Sequence, residues 1–389
     1  MIDIDRVRAD TPACSRIAHL NNAGSSLMPG AAYDAMIDYL QREQAIGGYE
    51  TAAERESDTA RFYQEAARLY GCSPEEIAYC ESDTQAWLKF FHSLRFSPGD
   101  RIVTTRLNYG SHFVSFIQKA ELGVETVVVG CDANGDVDLH GLEKSLDGRT
   151  RLITMSHIPT GGGTISPAAE VGRIARDAKV PFVLDACQSS GQIPVRVREI
   201  GCTAMTATGR KYLRGPRGTG LLYVERSFLG QMEPTALDQH GVELLDANRF
   251  RLLDGARRFE NYEVNHAARV GLGAAIAYAN EVGMEAIGER VIALGAVCRQ
   301  LLSDIPGVTV HDRGSVLGGI VTFSMSGMSP REIQQYLHTH GVNISVSGGA
   351  GGRIDFQARG IDSLARASLH YFNTREEIQK MAGLLAQAR

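Results

Sequence analysis

The chain has 389 residues, of which 43% are hydrophobic and 22% charged. That length suits one large domain with a smaller companion, and the composition is that of an ordinary globular protein with a sizeable core. A formal net charge of −5 without a long basic run argues against nucleic acid as a partner. No stretch of about 18 apolar residues is present to span a membrane.

The seven cysteines (Cys14, Cys72, Cys80, Cys131, Cys187, Cys202 and Cys298) are scattered, odd in number and form no CxxC pair. They fit reduced thiols in a cytoplasmic protein better than a disulfide framework or a metal site. The first residues, Met1-Ile2-Asp3-Ile4-Asp5-Arg6, are acidic and lack the apolar core of a signal peptide.

In chain order, residues 77–80 read as a strand leading into Glu81-Ser82-Asp83-Thr84-Gln85-Ala86, which opens a helix. Residues 101–105, 124–129, 151–155, 181–184, 203–206 and 219–224 are short apolar runs that read as further strands, most of them buried. Helical patterns lie between several of them, at 111–122 and at 167–178, with Ser166 as the expected N-cap ahead of Pro167. This alternation predicts an α/β fold with a mostly parallel sheet covered on both faces. After Glu260 the texture changes. Helices are expected at 267–282, 285–305, 330–340 and 374–386, and strands at 308–310, 319–324 and 342–346. Three parts follow: an arm, residues 1–30, packing with the small domain; a large domain, 31–270; and a small α+β domain, 271–389.

Three segments carry chemistry. In Val183-Leu184-Asp185-Ala186-Cys187-Gln188, Asp185 ends a strand, where side chains line the crevice of a parallel sheet. A carboxylate there either caps the next turn or pairs with a cation such as a pyridinium nitrogen. Lys211 follows Thr208, Gly209 and Arg210; a hydroxyl and a guanidinium beside a lysine suit a phosphorylated carbonyl cofactor. The start of the 82–86 helix presents N–H groups to an anion, unless Ser82 or Asp83 merely caps it. A dinucleotide-binding protein would need a Gly-x-Gly-x-x-Gly after a strand, and Gly161-Gly162-Gly163 lacks that spacing.

These segments resemble, over nearly the whole chain, the class V aminotransferase group of fold-type I pyridoxal-phosphate enzymes, which includes the cysteine desulfurases. The signposts occur in the group's order: Leu20-Asn21-Asn22-Ala23-Gly24, Ser82-Asp83-Thr84-Gln85, Ser156-His157-Ile158-Pro159-Thr160, Asp185-Ala186-Cys187-Gln188, Thr208-Gly209-Arg210-Lys211 and Arg366-Ala367-Ser368-Leu369. The resemblance implies a seven-stranded sheet in the large domain and pyridoxal 5'-phosphate held covalently as an imine on Lys211. Asp185 would pair with the ring nitrogen, and Gln188 would bond the ring phenolate. Thr84, Gln85, Thr208 and Arg210 would hold the phosphate. Tyr109 would stack on the ring, Thr160 would touch cofactor and substrate, and Asn22, Ala23, Gly24 and Arg366 would bind the amino-acid substrate, Arg366 through its carboxylate. The group forms homodimers with shared active sites, to which Asn261 and Tyr262 would contribute from the neighbouring subunit.

One departure stands out. A desulfurase needs a thiolate on the loop before the carboxylate-binding arginine, and residues 346–356 contain no cysteine. Leu20-Asn21-Asn22-Ala23-Gly24, Gly47-Gly48-Tyr49-Glu50, His157-Ile158-Pro159-Thr160 and Arg210-Lys211-Tyr212-Leu213-Arg214-Gly215-Pro216 resemble instead the C–S lyases of ergothioneine biosynthesis and the isopenicillin-N-epimerase-like enzymes of lincosamide antibiotic maturation. That resemblance implies β-elimination from a cysteine S-conjugate or its sulfoxide. Decarboxylation with oxidative deamination, transamination and epimerisation use the same residues. The glycine-rich loop reads as a flexible lid or a close backbone approach. His112, His157, Cys187 and Trp87 read as structural residues.

Overall fold

The computed structural model describes residues 2–349 and 351–388. After a short helix, Ile4–Ala9, the chain forms strand β1 (Ala18–His19). Then come β2 (Ile77–Cys80), β3 (Arg101–Thr105), β4 (Glu125–Val129), β5 (Thr150–Ser156), β6 (Phe182–Asp185), β7 (Ala204–Thr208) and β8 (Gly220–Val224). These seven make one sheet in the order β2-β8-β7-β6-β5-β3-β4. Only β8 runs antiparallel to its neighbours.

Side-chain alternation explains the layering. Ile102, Leu152, Val183 and Ala204 enter one core with Trp87, Phe90 and Phe91, whereas Val103, Ile153, Leu184 and Met205 enter another on the opposite face. The sheet is therefore covered on both sides, and only the strand ends are left to carry polar chemistry.

A charged hairpin follows, β9 (Val242–Asp246) and β10 (Arg249–Leu252). Helices His266–Val282 and Met284–Ser303 lead to a second, antiparallel sheet. Its strands are β11 (Val308–Val310), β12 (Ile320–Met325), β14 (Ser345–Gly348) and β15 (Ser363–Ser368), in the order β11-β12-β15-β14. Strand β13 (Val342–Asn343) pairs with β1 instead. Residues 342–346, expected as one strand, thus break at buried Ile344, because their two halves serve different sheets.

Ser166 does not cap the 168–177 helix. Pro167 takes the N-cap position, and the Ser166 hydroxyl is buried without a partner. Its N–H is spent on His157 O, which holds the residue to the β5 connection. Ser82 does cap its helix, Asp83–Phe91, by accepting from Gln85 N at 3.1 Å.

The turn after Lys211 is bolted to both chain termini. Arg214, a non-glycine residue at φ 61°, is buried. Its guanidinium donates to Leu27 O at 2.9 Å, to the Thr11 hydroxyl and to Tyr371 Oη, and lies 4.6 Å from the Phe372 ring centroid. The neighbouring Tyr212 O accepts from His370 Nε2 at 2.9 Å.

Candidate active site

Ser156, Asp185 and Thr208 are the last residues of β5, β6 and β7. Ser156 and Asp185, with the turn after β2, put their side chains into one cleft at the carboxyl ends of the strands, and Thr208 stands beside it through its bond to Arg210. Ser82, Asp83, Thr84, Tyr109, Thr160, Cys187, Gln188, Arg210 and Lys211 complete the wall.

At the floor, Asp185 Oδ2 accepts from Ser156 Oγ at 2.6 Å, and Oδ1 accepts from Cys187 N at 2.8 Å. Both bonds favour the carboxylate and fix its plane. Ser156 Oγ also lies 3.0 Å from Asn108 Oδ1. Lys211 is buried, with Nζ 3.2 Å from Cys187 Sγ. Burial drives the Cys187 thiol strongly upward, so it stays protonated and acts as a neutral neighbour. Asp83 stands beside Asp185, buried, with Oδ1 lacking a hydrogen-bond partner among the described residues.

The opposite end is built for an anion. Thr208 Oγ1 donates to Thr219 O at 3.3 Å and accepts from Arg210 at 2.9 Å, so the guanidinium is held over the start of the Asp83–Phe91 helix. Thr84 and Gln85 are exposed in its first turn. The Gln85 N–H is already taken by Ser82 Oγ.

Arg366, on β15, backs the cleft wall at Thr160. It is 6% exposed and makes no ion pair within 4 Å among the described residues. Its guanidinium donates to Thr160 O at 2.9 Å, Thr160 Oγ1 at 2.8 Å and Ser345 Oγ at 3.1 Å. Burial pulls its pKa below the ordinary arginine value. A buried, unpaired cation is costly unless an anion joins it. Gln188 Nε2 lies 3.2 Å from Ala23 O, and its Oε1 has no partner among the described residues.

Gly351 packs over Tyr109. Gly351 O accepts from Gly110 N at 3.1 Å. A Cβ on Gly351 would sit 3.1 Å from both Tyr109 Cε2 and Thr160 Cγ2. The glycine is thus needed for close approach. Behind it, helix Arg353–Ala358 is locked by Asp355, which accepts from Arg106 at 3.0 Å and Arg359 at 3.2 Å. Gly351→Ala is expected to raise KM several-fold while costing about 1–3 kcal/mol of stability through overpacking. Paired kinetics and urea unfolding check this, and an unchanged KM would show that the loop does not meet substrate.

Several expected substrate residues stand behind the cleft. Asn22 Nδ2 is spent on Ser368 O at 2.7 Å, Asn373 Oδ1 at 3.2 Å and His19 O at 3.3 Å, and Oδ1 accepts from Ser26. Ala23 contributes only its carbonyl, to Gln188, and Gly24 packs against the Asn21 side chain. None of the three lines the cleft. Asn22 therefore ties the N-terminal segment to β15. Asn261 Oδ1 accepts from Lys89 at 2.8 Å, and Tyr262 is exposed near Tyr49; neither touches this chain's cleft. Asp83 and Ser156 are the residues whose importance the motifs concealed. Ser156 ends β5, as Asp185 ends β6, whereas Asp83 opens the helix that follows β2.

His112 and His157 are buried. Trp87 stacks on His112 at 3.8 Å, and neither His112 ring nitrogen has a partner. Burial depresses both imidazoles to about 4. Each contributes stability that is present above pH ~6.5 and lost as pH falls towards 4, up to ~3 kcal/mol per site. The lone tryptophan's fluorescence during denaturation should follow this loss, and His112→Phe should flatten it. A midpoint equally acid-sensitive in that variant would count against it.

Lys211, Arg210 and Arg366 leave a positive surplus over Asp83 and Asp185. The set matches pyridoxal phosphate. An amine lies at 7% exposure for a carbonyl, carboxyls line the base for a ring nitrogen, and a guanidinium stands at a helix start for phosphate. The unpartnered Gln188 Oε1 shows that the ring-edge side of the cleft is not satisfied by the protein alone.

A family model described as aminotransferase class-V matches residues 18–381. A probable cysteine desulfurase of Methanothermobacter thermautotrophicus is 30% identical over 390 residues, spanning 98% of this chain and 97% of that protein. The apo structure of a cysteine desulfurase from Thermococcus onnurineus NA1 superposes with a TM-score of 0.92 at 25% identity, covering 100% of this chain and 98% of the other. The cystine C–S lyase C-DES, solved with its reaction product cysteine persulfide, gives a TM-score of 0.87 at 22% identity, over 97% of this chain and 99% of that one. At that identity the likeness is one of fold.

Proposed function

The chain belongs to the class-V aminotransferase family of pyridoxal-phosphate enzymes, and from that premise we propose that it is a C–S lyase eliminating the sulfur substituent of a cysteine S-conjugate or its sulfoxide. The observation that carries this reading is the segment over the cleft. Gly351 packs tightly on Tyr109, where a Cβ would lie 3.1 Å from its ring, and residues 346–356 hold no thiol. A sulfur atom released from substrate finds no acceptor on the lid and departs with its own substituent.

When bound, pyridoxal phosphate supplies a carbonyl for the substrate amine and an electron sink for charge at Cα. The chain's own residues do the rest. Thr208, Arg210 and the first turn of Asp83–Phe91 hold the phosphate. Asp185, its plane fixed by Ser156 and Cys187 N–H, keeps a proton on the ring nitrogen. Arg366 grips the substrate carboxylate through its planar fork. That grip, with Tyr109 on the ring face, sets the Cα–H bond perpendicular to the ring. Lys211 Nζ, desolvated beside Cys187, takes that proton, and the Cβ–S bond breaks. The sulfur leaves as thiolate or sulfenate, and the released three-carbon enamine takes up water to give pyruvate and ammonia.

This reading places the chain with the C–S lyases of small-molecule sulfur metabolism, in ergothioneine-like or antibiotic-maturation chemistry. It also makes the chain a cytoplasmic homodimer in which Asn261 and Tyr262 serve the neighbouring subunit. Exposed Tyr33, Leu40, Tyr49 and Tyr262 support such an interface. Among the described residues no helix is long and apolar enough to cross a membrane.

The test is incubation with a panel of cysteine S-conjugates and sulfoxides, read by mass spectrometry. Pyruvate with stoichiometric thiol or sulfenate is expected. Carbon dioxide with an aldehyde, or alanine from free cysteine, would overturn the proposal.

A further inference from the structure

Asp83 is a buried acid that the mechanism above does not use. It is the first residue of its helix, and that helix start is pressed on the sheet at Gly220, where a Cβ would lie 2.6 Å from Ser82 C and 2.9 Å from Asp83 N. The close approach drives the Asp83 side chain into the cleft. It is 6% exposed, lines the same cavity as Asp185 and Lys211, and leaves Oδ1 without a partner. Carboxylate oxygens of Asp83 and Asp185 and the Cys187 sulfur lie within 4.8 Å of one another. With the thiol held protonated and amine and guanidinium groups opposite, this trio is not built as a metal centre.

We propose that Asp83 is a second carboxyl group for the ring-nitrogen end of the cofactor, standing beside Asp185 and adding to the charge the nitrogen faces. The inference rests on pyridoxal phosphate occupying this cleft.

The groups around Asp83 fix its behaviour. Asp185 and burial raise it, to about 7, against the Thr206 hydroxyl, Lys211 and Arg210. The thiols of Cys80 and Cys187 stand nearby, both pushed upward by burial. As pH rises through neutrality Asp83 gives up its proton, and the negative charge it gains would favour a protonated ring nitrogen at this end of the cleft.

The experiment compares the apo protein's affinity for pyridoxal phosphate with that for its deaza analogue, in which C–H replaces the ring nitrogen, from pH 6 to 8. The ratio cancels phosphate and carbonyl contributions. Asp83→Asn and Asp83→Thr are measured alongside. In the wild type the preference for the natural cofactor should exceed that of Asp83→Asn by ~10-fold at pH 8, the equivalent of one pKa unit, and converge with it at pH 6. A purely structural role would weaken both compounds equally. Equal preferences at every pH in wild type and both variants would overturn the proposal. Failure of the wild type to bind either compound would overturn the cofactor assignment with it.

Discussion

Arg366→Leu is expected to raise KM for the amino-acid substrate by two to three orders of magnitude, or ~3–4 kcal/mol, while making the cofactor-free protein more stable. The two effects share one cause. A forked charged bond to a carboxylate is worth ~3 kcal/mol or more when desolvated. In the empty cleft the same guanidinium is a buried cation that no acid neutralises among the described residues. Removing it relieves a desolvation cost of about 1–3 kcal/mol. The acceptor it leaves is not orphaned, because Thr160 O also accepts from Ser347 Oγ at 3.2 Å. Kinetics and urea unfolding on one preparation test both arms. Leucine that destabilises the apo protein would show that Arg366 is a structural clamp.

Lys211→Ala is expected to fold, to keep much of its affinity for cofactor, and to lose ~10²–10⁴-fold or more in kcat, the range of a missing general base. Borohydride treatment of the wild type should fix the cofactor to the peptide containing Lys211, and the variant should yield no labelled peptide. A labelled peptide elsewhere would disprove the assignment. Cofactor affinity should fall modestly, because Arg210, Thr208 and Asp185 keep their positions: their bonds run to Thr219, Ser156 and backbone, not to Lys211.

The sheet was legible because burial on both faces leaves unbroken apolar runs. Residues 77–80, 101–105 and 308–310 match strands to the residue. The β9–β10 hairpin was not. Glu243, Asp246, Arg249 and Arg251 pair across it and most of its residues are exposed, so no apolar run marks it. In the site, Asp185 and Lys211 announced themselves through flanking pattern. Asp83 hid inside a cap motif, where an aspartate is unremarkable in sequence, and only the third dimension sets it beside another carboxylate. The sequence also does not show that Asn22, a signpost residue, bonds His19, Ser368, Asn373 and Ser26. His112 has no hydrogen-bond partner and stacks on Trp87, a pairing that sequence spacing does not announce.

The Arg214 knot carries a practical lesson for anyone trimming or tagging this protein. Thr11, Leu27 and Tyr371 grip the guanidinium three residues after Lys211, so segments far apart in the sequence hold the turn that carries this lysine. Loss of any of these contacts should slacken that turn while the central sheet stays intact.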